Sequence, residues 1–431
     1  MNSGLGLSAT ARAALLARLM RRRDDAPAVS TSRGFRELPG QREMALIRDA
    51  AASLELENPF FRAHEGVASA HSLIAGREVI NFGSYNYLGL NGDPRVQAAA
   101  KAAIDRHGVS ASASRMVSGE RPVHGALEAA LAAHYQAEAA LVFVSGHATN
   151  VTVIGHMMGP RDLIVHDTAI HNSCTEGARL SGAKRVSFAH NDWHAADSVL
   201  AEARRGARRA LLVIEGHYSM DGDIPDLPRF IEIARRHDTW LMVDEAHALG
   251  VVGARGHGVH EHFGIDPNEV DIWMGTLSKT LSACGGYIAG NLELIHWLKH
   301  SAPGFVYSVG LAPALAAAAT ESLAILQAEP ERVARLQANT ALFLQMAREA
   351  GFDAGTATPH AIVPVILGSS IAAARYSQKL LERGINVQPI VFPAVAEKAA
   401  RLRFFLSSEH SEKDIRDTIA GLIAIRAQAH D

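Results

Sequence analysis

The chain has 431 residues, 48% of them hydrophobic and 20% charged, and 42 basic against 45 acidic side chains leave a formal net charge of −3. That length, with an ordinary apolar fraction, excludes a stapled mini-domain and a mainly disordered chain, and the charge balance gives no footprint for nucleic acid or an anionic membrane. Two cysteines, Cys174 and Cys284, are too few for a disulfide framework or a Cys-rich zinc site. With no long apolar run and no secretory pattern at the N-terminus, the expectation is a cytoplasmic protein without a membrane span.

Residues 1–60 read as an N-terminal arm and linker. Within them, 9–23 set Leu15, Leu16, Leu19 and Met20 at helical spacing, which suits an arm packed on the protein's own body or sister subunit, or a docking helix for another protein. A large domain is expected over 61–305. VINFGSYNYLGL, from residue 79, opens it as a strand, and a helix follows Asp93-Pro94. Short apolar runs then recur in AALVFVSG (139–146), DLIVHD (162–167), RRALLVIEG (208–216), DTWLMVDEA (238–246) and VDIWMGTL (270–277), with polar helical segments between most of them. This alternation predicts an α/β fold with a mostly parallel central sheet buried on both faces. A smaller α+β domain is expected over 306–431, from an Ala-rich helix after Pro313, AIVPVILG, INVQPIVF, RLRFFLSS and a closing helix.

Ligands of such sheets bind beyond the carboxyl ends of the strands, so the polar residues there are the first candidates for chemistry. Asp244 and His247 end one strand, and Thr276, Ser278 and Lys279 end another. A buried carboxylate needs a cationic partner, and a desolvated lysine is a competent nucleophile toward an aldehyde. Ser145, Gly146 and His147 stand at a helix start, where free N–H groups bind anions. An aldehyde, a cationic ring nitrogen and a phosphate together describe pyridoxal 5′-phosphate. A serine-lysine hydrolase built on Ser278 and Lys279 leaves Asp244 and His247 unexplained.

Taken together, NFGSYNYLGL, SRMVSGERPVHGALE, FVSGHATN, IEGHYSMDGD, VDEAHALGVVGARGHG, GTLSKTLSACGGY and YSVGLAP resemble the α-oxoamine synthases, fold-type I pyridoxal-phosphate enzymes of aspartate aminotransferase-like architecture. The resemblance implies that Lys279 is the Schiff-base lysine, that Asp244 partners the pyridinium nitrogen, that His247 bonds the ring's phenolic oxygen and that His171 stacks on the ring. It implies backbone donors to the phosphate from Ser145, Gly146 and His147, with hydroxyls from Thr276 and Ser278. Ser219 would lie near the ring, Arg403 would take the substrate carboxylate, and Tyr85 and Asn86 resemble the pair found in the serine-using branch. Ser308 would reach the phosphate of a second subunit, implying a homodimer with composite sites.

The implied reaction is a decarboxylative Claisen-type condensation of glycine, alanine or serine with an acyl thioester. The acyl donor would be acyl-coenzyme A or, because residues 7–23 resemble assembly-line linker helices, an acyl carrier protein. An aminotransferase or aldolase-type reaction on the same fold is the alternative, while Lys279 argues against a non-catalytic partner subunit. Two local features stand out. GVSASASR (108–115) has Ala and Ser where the family is usually glycine-rich, which restricts positive φ. His257, His260 and His262 lie in a Gly-rich stretch that reads as a loop of solvated histidines rather than as a metal site.

Overall fold

The computed structural model describes residues 34–35 and 38–428, so the expected helix over 9–23 lies outside the described residues. Near the start of the described residues, Gln41–Ser53 is a helix. The chain after it is tied to the C-terminal region, where Glu57 N–H donates to Gln378 Oε1 at 3.0 Å.

Fourteen strands form three sheets among the described residues. The first are β1 (His64–Glu65), β2 (His71–Ile74) and β3 (Arg77–Asn81). The central sheet uses β4 (Ala139–Phe143), β5 (Leu163–Asp167), β6 (Lys184–Phe188), β7 (Ala210–Glu215), β8 (Trp240–Asp244), β9 (Ile272–Thr276) and β10 (Gly286–Gly290). The last are β11 (Ile362–Ile366), β12 (Ile385–Asn386), β13 (Gln388–Ile390) and β14 (Arg401–Phe405).

The central order is β4-β10-β9-β8-β7-β5-β6, with β10 antiparallel to both neighbours and the other pairs parallel. All six residues of β7 are buried, and the period of two divides them between the faces. Leu211 and Val213 pack in one apolar cluster with Val153, Ile154 and Ala178 from the helices Gly146–Met157 and Asn172–Ser181. Leu212 and Ile214 pack in the other, with Leu127, Leu131, Leu200 and Phe230. Each such aliphatic side chain contributes roughly 1.5–3 kcal/mol by leaving water, which is why both faces must be covered.

The three-stranded sheet, β11-β14-β13, is antiparallel. The four-stranded sheet, β1-β2-β3-β12, joins distant parts of the chain, with β3 and β12 parallel and Ile80 opposite Ile385. Phe405 N–H donates to Phe82 O at 3.0 Å, and Ser407 Oγ to Asn86 O at 3.0 Å. These bonds lay the Tyr85 loop against the end of β14. No helix among the described residues is long and apolar enough to cross a membrane.

In the 257–262 stretch His262 is exposed as expected and His257 is half-buried, but His260 departs from the expectation of solvated histidines. His260 is buried, 5.4 Å from the Trp273 ring and 6.0 Å from Tyr135, and desolvation lowers its pKa to about 4. The apolar partners come from β9 and from the Pro122–His134 helix end, contacts that spacing along the sequence does not reveal. Ser112 likewise takes a left-handed φ of 57° although it is not glycine. Its N–H donates to Ser110 Oγ at 3.0 Å, the kind of local bond that makes this conformation accessible to a small polar residue.

Candidate active site

The parallel strands bring their carboxyl ends to one edge of the central sheet. Asp244, the last residue of β8, is buried. It accepts from Asn150 Nδ2 at 2.8 Å and from Ala246 N–H at 2.9 Å. Asn150 also donates to Ser173 Oγ at 3.0 Å, and Ser173 Oγ lies 2.7 Å from His171 Nδ1. A continuous polar chain therefore runs from His171 through Ser173 and Asn150 to Asp244.

His171 caps the helix Asn172–Ser181, and its Nδ1 accepts from Ser173 N–H at 3.3 Å. An accepting Nδ1 leaves the ring proton on Nε2. Burial, opposed by Asp244, lowers the imidazole pKa, so the ring is neutral at neutral pH. Its backbone N–H donates to Glu215 Oε1 at 2.7 Å. Glu215, at the end of β7, is buried, and desolvation followed by Asp244 pushes its pKa far above the carboxylate range.

Lys279 follows β9 after a two-residue turn. Burial lowers its amine to about 8 against the opposing pull of Asp244 and Glu215. Its Nζ lies 5.7 Å from the Tyr85 ring centroid. The Tyr85 ring meets Phe405 edge-on at 4.9 Å and His247 at 6.0 Å. His247 is buried, with Nδ1 2.8 Å from the Tyr87 hydroxyl, and desolvation followed by Lys279 holds its pKa well below the usual imidazole value. A donating phenol leaves the imidazole proton on Nε2, facing away from Tyr87.

Ser145 caps the helix Gly146–Met157, its hydroxyl accepting from Ala148 N–H at 3.3 Å. The Gly146 and His147 N–H groups belong to the first turn, where no intrahelical acceptor exists. Thr276 Oγ1 lies 2.8 Å from Ser278 Oγ and donates to Gly285 O at 3.0 Å. A Cβ on Gly146 would stand 2.7 Å from Thr276 Oγ1, so the helix start and the end of β9 meet only because the backbone is bare.

Arg403, on β14, completes the pocket from the C-terminal region. Its Nη1 donates to Ser219 O at 3.1 Å, and its guanidinium lies 4.7 Å from the Phe405 ring. Its Nε is buried without a partner among the described residues. Not every candidate enters this group. Asn86 donates to Ala68 O at 3.0 Å and accepts from Asn91 N–H at 3.1 Å, so its amide secures the loop that presents Tyr85. Ser308 stands apart beside Arg115, Val144 and Phe305.

Asn150, Ser173, Glu215 and Tyr87 were not singled out from the sequence. The signal for Glu215 was a second acidic residue ending an apolar strand, in LLVIEG as Asp244 does in LMVDE. The other three carry ordinary side chains whose partners lie on different elements.

The family model for aminotransferases of class I and II matches residues 77–422. Over 390 residues the chain is 38% identical to 8-amino-7-oxononanoate synthase of Symbiobacterium thermophilum, covering 90% of this chain and 96% of that one. It is 36% identical to serine palmitoyltransferase of Sphingobacterium spiritivorum, covering 86% and 92%. The chain belongs to the α-oxoamine synthase family of pyridoxal-phosphate enzymes. Among solved structures, a serine palmitoyltransferase with pyridoxal phosphate as internal aldimine superposes with a TM-score of 0.88 at 30% identity, covering 92% of this chain and all of that one. The serine palmitoyltransferase of Sphingomonas wittichii gives 0.87 at 32%. The fold is that of the fold-type I transferases, and the chain is an acyl-condensing enzyme of the α-oxoamine synthase kind.

The residues present fit the cofactor of this family. A desolvated amine, a buried carboxylate, a bare helix start beside two hydroxyls and an unpartnered guanidinium N–H surround one space.

Proposed function

We propose that this α-oxoamine synthase condenses glycine, alanine or serine with an acyl thioester, acyl-coenzyme A or an acyl carrier protein, releasing carbon dioxide and free thiol. What supports this reading is the meeting of Lys279, Asp244 and Arg403 around one pocket, with Arg403 Nε left free of protein partners among the described residues. A guanidinium in that position suits a substrate carboxylate.

Bound there, pyridoxal phosphate supplies an aldehyde for an amine and a ring that takes up the electron pair released at the amino acid's α-carbon. Asp244 would hold a proton on the ring nitrogen, and Asn150 and Ala246 N–H keep that carboxylate aimed. His247 donates through Nε2. The Gly146 and His147 N–H groups, with Thr276 and Ser278, bind the phosphate. Arg403 binds the amino-acid carboxylate, with Tyr85 closing the pocket beside it and Ser219 holding the guanidinium. Lys279, a free base at slightly alkaline pH, removes the α-proton at Nζ. His171, neutral and protonated at Nε2, donates to the thioester oxygen as charge develops there.

The functional unit is a homodimer. Val109, Val117 and Tyr307 are exposed on two segments that Gly310 N–H joins to Ala113 O at 2.9 Å, and a second copy covers them while Ser308 reaches its phosphate site. The free thiols of Cys174 and Cys284 suit the reducing cytoplasm.

The experiment is mass spectrometry of products from glycine, alanine and serine, each with acyl groups on coenzyme A and on carrier protein. An α-amino ketone with carbon dioxide is expected. Formation of an α-keto acid without carbon dioxide replaces this reading with transamination.

A further inference from the structure

Outside the pocket, the ends of β5 and β7 lead to a cluster of charge. The His190 ring lies between two carboxylates, with Nδ1 3.0 Å from Asp167 Oδ1 and Nε2 3.1 Å from Asp223 Oδ2. Asn191 joins the same pair, its N–H donating to Asp167 Oδ2 at 2.8 Å and its Nδ2 to Asp223 Oδ2 at 3.1 Å. Thr356 Oγ1 donates to Asp223 Oδ2 at 2.8 Å from the C-terminal region. The Tyr218 ring closes the remaining side, 4.5 Å from the imidazole. Burial opposes the charged imidazole, but the hydrogen bonds to Asp167 and Asp223 prevail and raise its pKa to about 10. His190 is therefore a cation throughout the physiological range.

Asp223 belongs to the loop 216–223, which folds back on itself through Tyr218 N–H to Asp223 O at 2.9 Å and Gly222 N–H to Tyr218 O at 2.9 Å. The tip of this loop holds both arginines of β14. Arg403 donates to Ser219 O, and Arg401 donates to Met220 O at 2.8 Å and to Asp221 Oδ1 at 2.6 Å. Gly222 presses on β11, where an added Cβ would stand 2.0 Å from Ile362 O. The loop is thus a bridge with its root at the His190 cluster and its tip at the guanidinium that faces the substrate.

We infer that His190 is a positioning residue for amino-acid recognition: its imidazolium ties Asp223 to Asp167, and this tie sets the loop carbonyls that aim Arg403. Without the imidazolium, two largely buried carboxylates confront each other across the gap and the loop root relaxes. The effect reaches the substrate carboxylate through Ser219 O and leaves the phosphate cradle and Lys279 untouched. The inference rests on the proposed role of Arg403.

The test is His190→Gln in the holoenzyme, which keeps hydrogen-bonding capacity but removes the charge. The probe is whichever of glycine, L-alanine and L-serine perturbs the holoenzyme spectrum, and its dissociation constant is read by calorimetry beside steady-state kinetics. The dissociation constant and KM of the amino acid rise about tenfold, whereas the thioester KM and the cofactor absorbance stay near the parent values; the melting temperature falls, because two buried carboxylates lose the cation between them. Thr356→Val, a milder cut at the same carboxylate, gives a rise of about threefold and serves if the first variant does not fold. An unchanged dissociation constant, or a loss of kcat and cofactor content with no change in amino-acid affinity, overturns the inference. Arg403→Ala separates the two levels. If it weakens amino-acid binding and His190→Gln does not, this inference alone fails; if Arg403→Ala binds like the parent, the reading of Arg403 fails and takes this inference with it.

Discussion

Glu215 and Asp244 are register partners on the adjacent parallel strands β7 and β8, so two carboxyl groups end side by side beneath the pocket. Two charges so placed repel each other, and only one is well supplied with donors. Asp244 receives Asn150 and a backbone N–H, whereas Glu215 receives the His171 N–H and is kept neutral. Glu215→Gln, which imitates the neutral acid, is expected to retain kcat within about threefold. Glu215→Ala leaves the His171 N–H unpaired and lowers kcat about tenfold. Steady-state rates of the two variants decide it, and a collapse in the glutamine variant shows that the carboxyl must ionise.

Lys279 titrates near 8, so the nucleophilic amine appears as pH rises through that value instead of near 10.5. The rate at which cofactor-free protein captures pyridoxal phosphate should climb through about pH 8 and level off above it. Stopped-flow absorbance gives the profile. A midpoint above 10 contradicts the desolvated environment, and Lys279→Ala should lose the absorbance change that reports amine addition to the aldehyde.

Glu245 offers a separate pH dependence. Its carboxyl is buried, one oxygen accepting from Val259 N–H at 3.2 Å, and desolvation pushes its pKa up to about 8. An acid that is harder to ionise in the folded state destabilises the fold as pH rises from the unfolded value, roughly 4.3, to the folded one. Glu245→Gln removes that loss. Melting curves should therefore show little difference near pH 5 and an advantage for the variant that grows toward pH 8. Parallel curves across this range refute the assignment.

The sequence exposes the strands that are buried on both faces. β4, β5, β7, β8 and β9 each form an unbroken apolar run, and the chemistry at their ends could be read from residue type alone. β6 is a sheet edge with Lys184 and Arg185 exposed, and β10 is written GYIAG, so neither has the apolar density that marks a central strand. Lys279 and Asp244 were legible because a charge after an apolar strand demands an explanation. The chain from His171 through Ser173 and Asn150 was not, because each link joins elements that meet only after folding. His260 shows the same limit from the other side, since its burial depends on Trp273 and Tyr135 arriving from elsewhere.

The pairing of β3 with β12 sets a condition on how this protein is made. Ile80 finds its neighbour only when Ile385 has been synthesised, so a nascent chain carries an open strand edge until that residue is added. The Tyr85 loop, which hangs from that edge, takes its place against β14 only once Arg401–Phe405 has been synthesised. Every strand of the central sheet lies before residue 291, whereas the strand that carries Arg403 on the substrate side lies more than a hundred residues later in the chain.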